Sequence, residues 1–290
     1  MDTLRYNPHI DSIFPFSNDT AGLLAELSLN GYTAVIDLQN NLRSRRLTSR
    51  MNAPVYGFRK LSLRKFLLVR FKINLLKFFP PSIPERYAES IAGAAGFGDF
   101  TLDDEGLEVS VPDSIIPVLE EDKNYIALCP GSRHFTKQWP EEYYTKLAEL
   151  LVKKGYVPVL MGGKSDRDIC RRISLGVAGS RDISNDDNLL QSAADMKRCL
   201  AVVCNDSGMM HLACAVKTPV VAIFGSTVKE FGFVPYKNRN RIMENNDLKC
   251  RPCTHIGRDK CPLGHFNCMK QLNPDAVLNS LLKLIEENPV

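Results

Sequence analysis

The chain has 290 residues, 44% of them apolar and 24% charged, with 37 Lys and Arg against 33 Asp and Glu and a formal charge of +4. That length suits two ordinary domains of roughly 100–200 residues each, and the composition excludes collagenous and disordered chains. No apolar run reaches the roughly 18 residues that span a bilayer, and the first residues lack a basic segment followed by an apolar one, so neither signal peptide nor anchor is expected and the expected location is the cytoplasm.

In chain order, residues 32–38 read as a short buried strand that Gln39-Asn40-Asn41 ends in turn residues. Between Asp37 and Glu85 no acidic residue occurs, while eleven Lys and Arg do; the remainder has 26 Lys and Arg against 33 Asp and Glu, a charge of −7. So local an excess points to an anionic partner (phosphate-bearing lipid, a membrane face or nucleic acid) or to a solvated face that favours none. From Leu63 to Phe79, apolar residues at 63, 66, 67, 71, 75, 78 and 79 share one helical face with Arg and Lys interleaved. Such a helix either lies on a membrane surface or covers a core with a wet back. Pro80, Pro81 and Pro84 stop it, and a further helix is expected over 85–95.

Residues 103–124 are acidic and carry Pro112 and Pro117, which places a domain boundary there. Beyond it strands are expected at 125–129, 157–161, 200–204 and 220–224, separated by helices at 141–154, from Asp166, over 188–198 and from Ser207. Strands alternating with helices imply a parallel sheet with right-handed crossovers.

In such sheets a ligand sits beyond the C-terminal strand ends. After the first strand, Gly131 and Ser132 offer N–H groups to phosphate oxygens, with Arg133 or Lys137 as countercharge. The next loop, Gly162-Gly163-Lys164-Ser165-Asp166, presents a carboxylate to ribose hydroxyls. In Asn205-Asp206-Ser207-Gly208, Asp206 or Ser207 is a natural N-cap, so that the following helix start would stabilise a pyrophosphate; alternatively Asp206 only caps and His211 is a core histidine. Phe224-Gly225-Ser226-Thr227 closes the floor. Together these loops favour a nucleoside diphosphate.

Five cysteines, at 129, 170, 199, 204 and 214, lie in or beside apolar stretches and read as small buried hydrophobes. The other four form Cys250-x2-Cys253-x7-Cys261-x6-Cys268, with His255 and His265 interspersed. The first pair has zinc-ligand spacing, but the second lacks the short loop of a four-ligand site, which leaves a loop of reduced thiols as the alternative.

This ordered set resembles the donor domain of glycosyltransferase family 9, the family of the ADP-heptose:lipopolysaccharide heptosyltransferases: Pro130-Gly131-Ser132 with Lys137-x-Trp139-Pro140, Gly162-Gly163 with Asp166, Asn205-Asp206-Ser207-Gly208-x-x-His211, and Phe224-Gly225-Ser226-Thr227. The loop Cys250-Arg251-Pro252-Cys253 to Cys268-Met269 is similar to that of the heptosyltransferase II branch, and Val35 to Ser44 with Tyr56-Gly57-Phe58-Arg59 match as well. The resemblance implies an α/β fold of GT-B type, two Rossmann-like domains facing a cleft, with residues 1–120 on the acceptor side, 121–275 binding the nucleotide-sugar and a C-terminal helix at 276–290. It implies an inverting transfer of heptose from ADP-heptose to the phosphorylated Kdo-lipid A core, without metal or cofactor and without nucleic acid. Contact with the inner face of the inner membrane is an implied further partner. Donor contacts fall on Ser132, Lys137, Asp166, Asp206, Ser207, Gly208 and His211, acceptor contacts on Arg43 and Arg59. Relatives begin with a strand and a Gly-Asp loop that carries the proposed general base, whereas this chain starts near Asn7-Pro8-His9-Ile10-Asp11, a segment that lies well inside relatives, so the first domain is expected to be incomplete and no catalytic residue is assigned. A non-catalytic nucleotide-sugar or lipid-core binding protein is the other implied function.

Overall fold

A computed structural model describes residues 2–16, 19–92, 98 and 100–287. They fall into two compact units, one made of residues 9–104 and 229–233, the other of 2–8, 105–228 and the chain from 234 onward. Helix α1 (Asp2–Arg5) belongs to the second unit.

The first unit starts with α2 (Thr20–Ser28), capped by the Asp19 side chain, which accepts from Gly22 N–H at 2.9 Å. Its sheet has two strands among the described residues, β1 (Val35–Asp37) parallel to β2 (Val55–Gly57). Asp37, 6% exposed, ends β1 by accepting from Gln39 N–H at 3.0 Å, Asn40 N–H at 2.7 Å and the Ser44 hydroxyl at 2.7 Å. Those bonds tie the strand to α3 (Leu42–Thr48), which Asn41 and Ser44 open with a capping box. The single helix expected over 63–79 is not formed. Helix α4 (Ser62–Phe71) stops where Lys72 turns left-handed at φ 62°, and only a 3-10 turn, Leu76–Phe78, follows. Periodicity is blind to one residue leaving the helical basin. Helix α5 (Ile83–Ala92) replaces the helix expected over 85–95, of which residues 93–95 lie outside the described residues. Its buried Arg86 donates to Pro80 O at 2.7 Å, Phe231 O at 2.9 Å and Glu230 O at 3.0 Å, which fastens residues 229–233 to this unit.

The second unit alternates β3 (Tyr125–Cys129), α6 (Glu141–Lys153), β4 (Val157–Leu160), α7 (Arg167–Gly176), β5 (Arg181–Asp182), α8 (Leu189–Met196), β6 (Ala201–Asn205), α9 (Gly208–Ala215), β7 (Val220–Phe224) and β8 (Asn240–Glu244), then closes with α10 (Asn267–Lys270) and α11 (Pro274–Glu286). All six strands are parallel, in the order β5-β4-β3-β6-β7-β8. Strands β3, β6 and β7 are buried at every residue, which is why they read as continuous apolar runs. Successive residues serve opposite layers. Ile126 and Leu128 pack with Trp139, Tyr144, Leu147 and Leu281, while Tyr125, Ala127 and Cys129 pack with Leu190, Met196 and Met210. Each fully buried Leu or Ile contributes about 1.5–3 kcal/mol. The C-terminal helix expected over 276–290 begins at Pro274 behind an Asn273 cap that accepts from Ala276 N–H at 3.1 Å; residues 288–290 lie outside the described residues.

Counted within this unit, the strand order is third, second, first, fourth, fifth, sixth. The chain therefore reverses its winding between β3 and β6, and the loops leaving those two strands diverge.

Candidate functional site

Asn205, the last residue of β6 and fully buried, joins the two diverging loops. Its amide donates to Pro130 O at 2.8 Å and Gly131 O at 3.3 Å, and its side-chain oxygen accepts from Trp139 N–H at 3.0 Å. Beside this junction lies a cavity of about 820 Å³. Ser132, Asp166, Ser207, Gly208 and His211 line it, together with Arg133 and the apolar Leu107, Val109, Leu189 and Leu212. Five of the seven residues expected to contact the donor thus share one cavity.

Asp166 accepts from Gly163 N–H at 3.2 Å and from the Ser165 hydroxyl at 3.3 Å. A Cβ on Gly131 would come within 2.2 Å of its carboxyl carbon, and one on Gly162 within 2.6 Å of its Cβ. These two glycines therefore make room for the Asp166 side chain.

Ser207 occupies the N-cap position of α9, but its side chain makes no capping bond, and Asp206 does not cap either. The expected cap is corrected accordingly: with backbone at φ −151° and ψ 177°, Ser207 leaves the helix start to other partners. Its Oγ is buried and has no hydrogen-bond partner among the described residues. A buried hydroxyl left unpaired costs about 1–3 kcal/mol, and Ser207 is also among the residues that line the cavity. The first N–H groups of α9 lack intrahelical acceptors at the same place.

Lys137 and Asp206 are not among the residues lining the cavity. They pair with each other at 2.7 Å, and the same Asp206 oxygen, Oδ2, accepts from Thr227 Oγ1 at 2.7 Å. His211 has its pKa lowered, by burial first, with Asp206 pulling it up and Lys137 pushing it down, so the ring is neutral near pH 7.

Arg251, legible only as part of the cysteine loop, holds the loop after β7; residues 224–227, expected to close the floor, are not among those lining the cavity. Only 8% exposed, it donates to Gly225 O at 2.6 Å and Thr227 O at 2.9 Å and pairs with Glu244 at 2.9 Å. Thr136 fastens the same loop from the one after β3: Ser226 Oγ lies 3.0 Å from its Oγ1, which also accepts from Arg258 N–H at 2.8 Å. Gly225 has no room for a side chain there, because a Cβ would meet Thr136 O at 2.8 Å. Nothing in residue spacing marks an arginine whose partners are carbonyls.

Around the cysteine loop, Cys250 Sγ lies 4.0 Å from His265 Nε2, and His265 Nδ1 accepts from Asn267 N–H at 3.0 Å. Burial raises Cys253 and pushes Cys268 up to about 11. Among the described residues no group of three or more His, Cys, Asp and Glu is arranged to hold a metal ion.

Arg43 and Arg59 belong to the first unit. Arg59 lines a cavity of about 670 Å³ with Tyr56, Gly57, Phe79, Arg86 and Glu89. Arg43 is not part of that lining; its guanidinium stacks 3.8 Å from the centre of the Phe16 ring.

Residues 21–263 match the family model described as glycosyltransferase family 9 (heptosyltransferase). A lipooligosaccharide heptosyltransferase 2 of Campylobacter jejuni is 29% identical over 172 residues, which cover 58% of this chain and 53% of that protein. The chain spans about half the length of the curated relatives it matches first. Among solved structures, a family 9 glycosyl transferase of Veillonella parvula superposes with a TM-score of 0.77 at 20% identity, over 99% of this chain and 86% of that one. The Escherichia coli ADP-heptose lipopolysaccharide heptosyltransferase II superposes with a TM-score of 0.66 at 21% identity, over 93% and 81%. The α/β fold with parallel sheets is that of these GT-B structures.

Proposed function

Because the chain belongs to glycosyltransferase family 9, we propose that it transfers heptose from ADP-heptose to the phosphorylated Kdo-lipid A inner core of lipopolysaccharide. Residues 121–275 hold the donor in this reading and residues 1–120 the acceptor. The observation that carries it is the unpartnered buried hydroxyl of Ser207, set at the start of α9 beside the winding reversal of a nucleotide-binding sheet. A diphosphate oxygen there would take the Ser207 hydroxyl and the free N–H groups of α9, whose dipole favours negative charge.

The donor is neutralised without a metal. Ser132 and Ser207 donate to the diphosphate, and Gly208 lets it approach the helix backbone. Lys137 is paired with Asp206 at 2.7 Å, so Arg133 at the cavity wall adds positive charge for the diphosphate. Asp166 accepts from the ribose hydroxyls and Asp206 from the sugar, while neutral His211 supports the loop between them. Inversion follows from a single displacement in which the acceptor oxygen bonds the anomeric carbon as its bond to the ADP oxygen breaks, ADP leaving with the electron pair and the hydroxyl proton passing to solvent. Arg43 and Arg59 meet acceptor phosphates. Asp37 is not assigned as the base, since its two oxygens are taken up by Gln39, Asn40 and Ser44.

The test is release of ADP from ADP-heptose by this chain with Kdo-lipid A as acceptor. Acceptor-dependent release is the expected result. ADP-heptose binding without release would replace transfer by nucleotide-sugar binding, and neither binding nor release would overturn the reading.

A further inference from the structure

Residues 2–8, which include α1, belong to the second unit, although the chain from residue 9 to residue 104 belongs to the first. Leu4 and Tyr6 face solvent, 48% and 45% exposed. Thr3, by contrast, is among the residues that line the cavity of about 820 Å³. Asn7, four positions on, closes the turn by donating its N–H to Leu4 O at 3.1 Å, and its side-chain amide donates to Glu108, also at 3.1 Å. Helix α1 packs against α8, whose Leu189 and Ser192 line the same cavity. Glu108 is exposed, but its neighbours Leu107 and Val109 pack into the core layer of Leu190 and Leu212 and hold its segment in place. Three separate pieces of the second unit, residues 2–8, residues 107–109 and α8, therefore meet at one cavity.

We propose that residues 2–8 are a movable wall of the donor site, with Thr3 as a positioning residue that packs against the nucleoside of the bound donor and the Asn7–Glu108 hydrogen bond holding the wall closed. The inference rests on the donor reading given above. In that reading the diphosphate takes the N–H groups at the start of α9, and a nucleoside joined to it lies along the remainder of the same cavity, where Thr3, Leu107, Val109 and Leu189 are available to it. A hydrogen bond between exposed side chains adds little net stability, because each partner can exchange it for water. The wall can therefore open while its counterparts stay fixed, α8 through buried Leu190 and the segment 107–109 through buried Val109. Contacts completed once a ligand is seated act on its release far more than on its arrival.

The test uses the full chain carrying Thr3→Cys or Leu4→Cys, treated with a maleimide and read by peptide mass spectrometry, so that the new thiol is followed apart from the native ones. Saturating ADP should slow modification at position 3 severalfold and leave position 4 unaffected. A second measurement times the release of a fluorescent ADP analogue from Glu108→Gln and Glu108→Ala. Both variants lose the charge, and only glutamine keeps an acceptor for Asn7, so the alanine variant should release the analogue about threefold faster while the two association rates agree. Adding Asn7→Ala to each should erase that difference, an outcome expected only if the two side chains act as a pair. ADP binding without protection at position 3, equal protection at position 4, or equal release from the two Glu108 variants would each overturn this inference and leave the donor reading standing. No binding of ADP by the unaltered chain would overturn both.

Discussion

Lys137 and Asp206 pair at 2.7 Å across the two loops that leave β3 and β6, with Asp206 only 5% exposed and the Lys137 side chain 16%. Thr227 donates to the same Asp206 oxygen, so one carboxylate links three loops at the winding reversal. The two partners are not equivalent. Without Lys137, Asp206 keeps a buried charge; without Asp206, Lys137 can still turn toward solvent. Lys137→Met should therefore cost about 2–3 kcal/mol, and Asp206→Asn, which retains an acceptor for Thr227, clearly less. Urea unfolding of both variants checks the order, and a larger loss for Asp206→Asn would contradict it.

Arg251 supports this site from below. A lysine there cannot reach Gly225 O, Thr227 O and the Glu244 carboxylate at once, because its donors radiate from one point. Arg251→Lys should destabilise the chain by about 3 kcal/mol and, by releasing Thr227 from its place beside Asp206, should weaken ADP binding severalfold. Equal stability and equal ADP affinity would show that the loop after β7 does not depend on this side chain.

How far the sequence exposes such a site can be judged from these residues. Strands β3, β4, β6 and β7 are legible because burial on both faces leaves an uninterrupted apolar run. The short outer strand β5, Arg181–Asp182, and the polar edge strand β8, Asn240–Glu244, leave no such run, and both went unread. The loops after β3, β4 and β6 are legible because glycine, serine and aspartate cluster at the ends of apolar runs, and Ser132, Asp166, Ser207, Gly208 and His211 do line one cavity. What Lys137 and Asp206 do to each other is not legible, since their pairing spans 69 positions and depends on the strand order. The same holds for α4, whose spacing describes an apolar face without saying which way it points.

His211 adds a pH dependence. Burial lowers its pKa below the value of about 6.5 that it has in the unfolded chain. The unfolded state therefore binds the proton first as pH falls, and the contribution of His211 to stability, complete above the unfolded pKa, declines as pH drops through and below it. The urea midpoint should fall between pH 7.5 and pH 5.5, and His211→Gln should flatten that fall. A midpoint that drops as steeply in the variant would assign the effect to other groups.

The nine cysteines should divide by reactivity. Cys129, Cys170, Cys199, Cys204, Cys214 and Cys268 are buried, and burial raises every one of them, Cys199 up to about 12. Since the thiolate is the reactive form, a native titration with Ellman's reagent at pH 8 should find rapid reaction at no more than Cys250, Cys253 and Cys261. Six or more fast thiols in the folded chain would contradict the packing around the sheet.

The most direct test of the proposed nucleotide site is calorimetric titration of ADP into the Ser207→Ala variant. The hydroxyl has no hydrogen-bond partner among the described residues, so its removal should leave the melting temperature unchanged or raise it, while a lost hydrogen bond to a charged phosphate, worth about 1.5–3 kcal/mol, should weaken ADP binding by roughly tenfold or more. Unchanged ADP affinity in a stable variant would contradict the assignment of this cavity to the donor diphosphate.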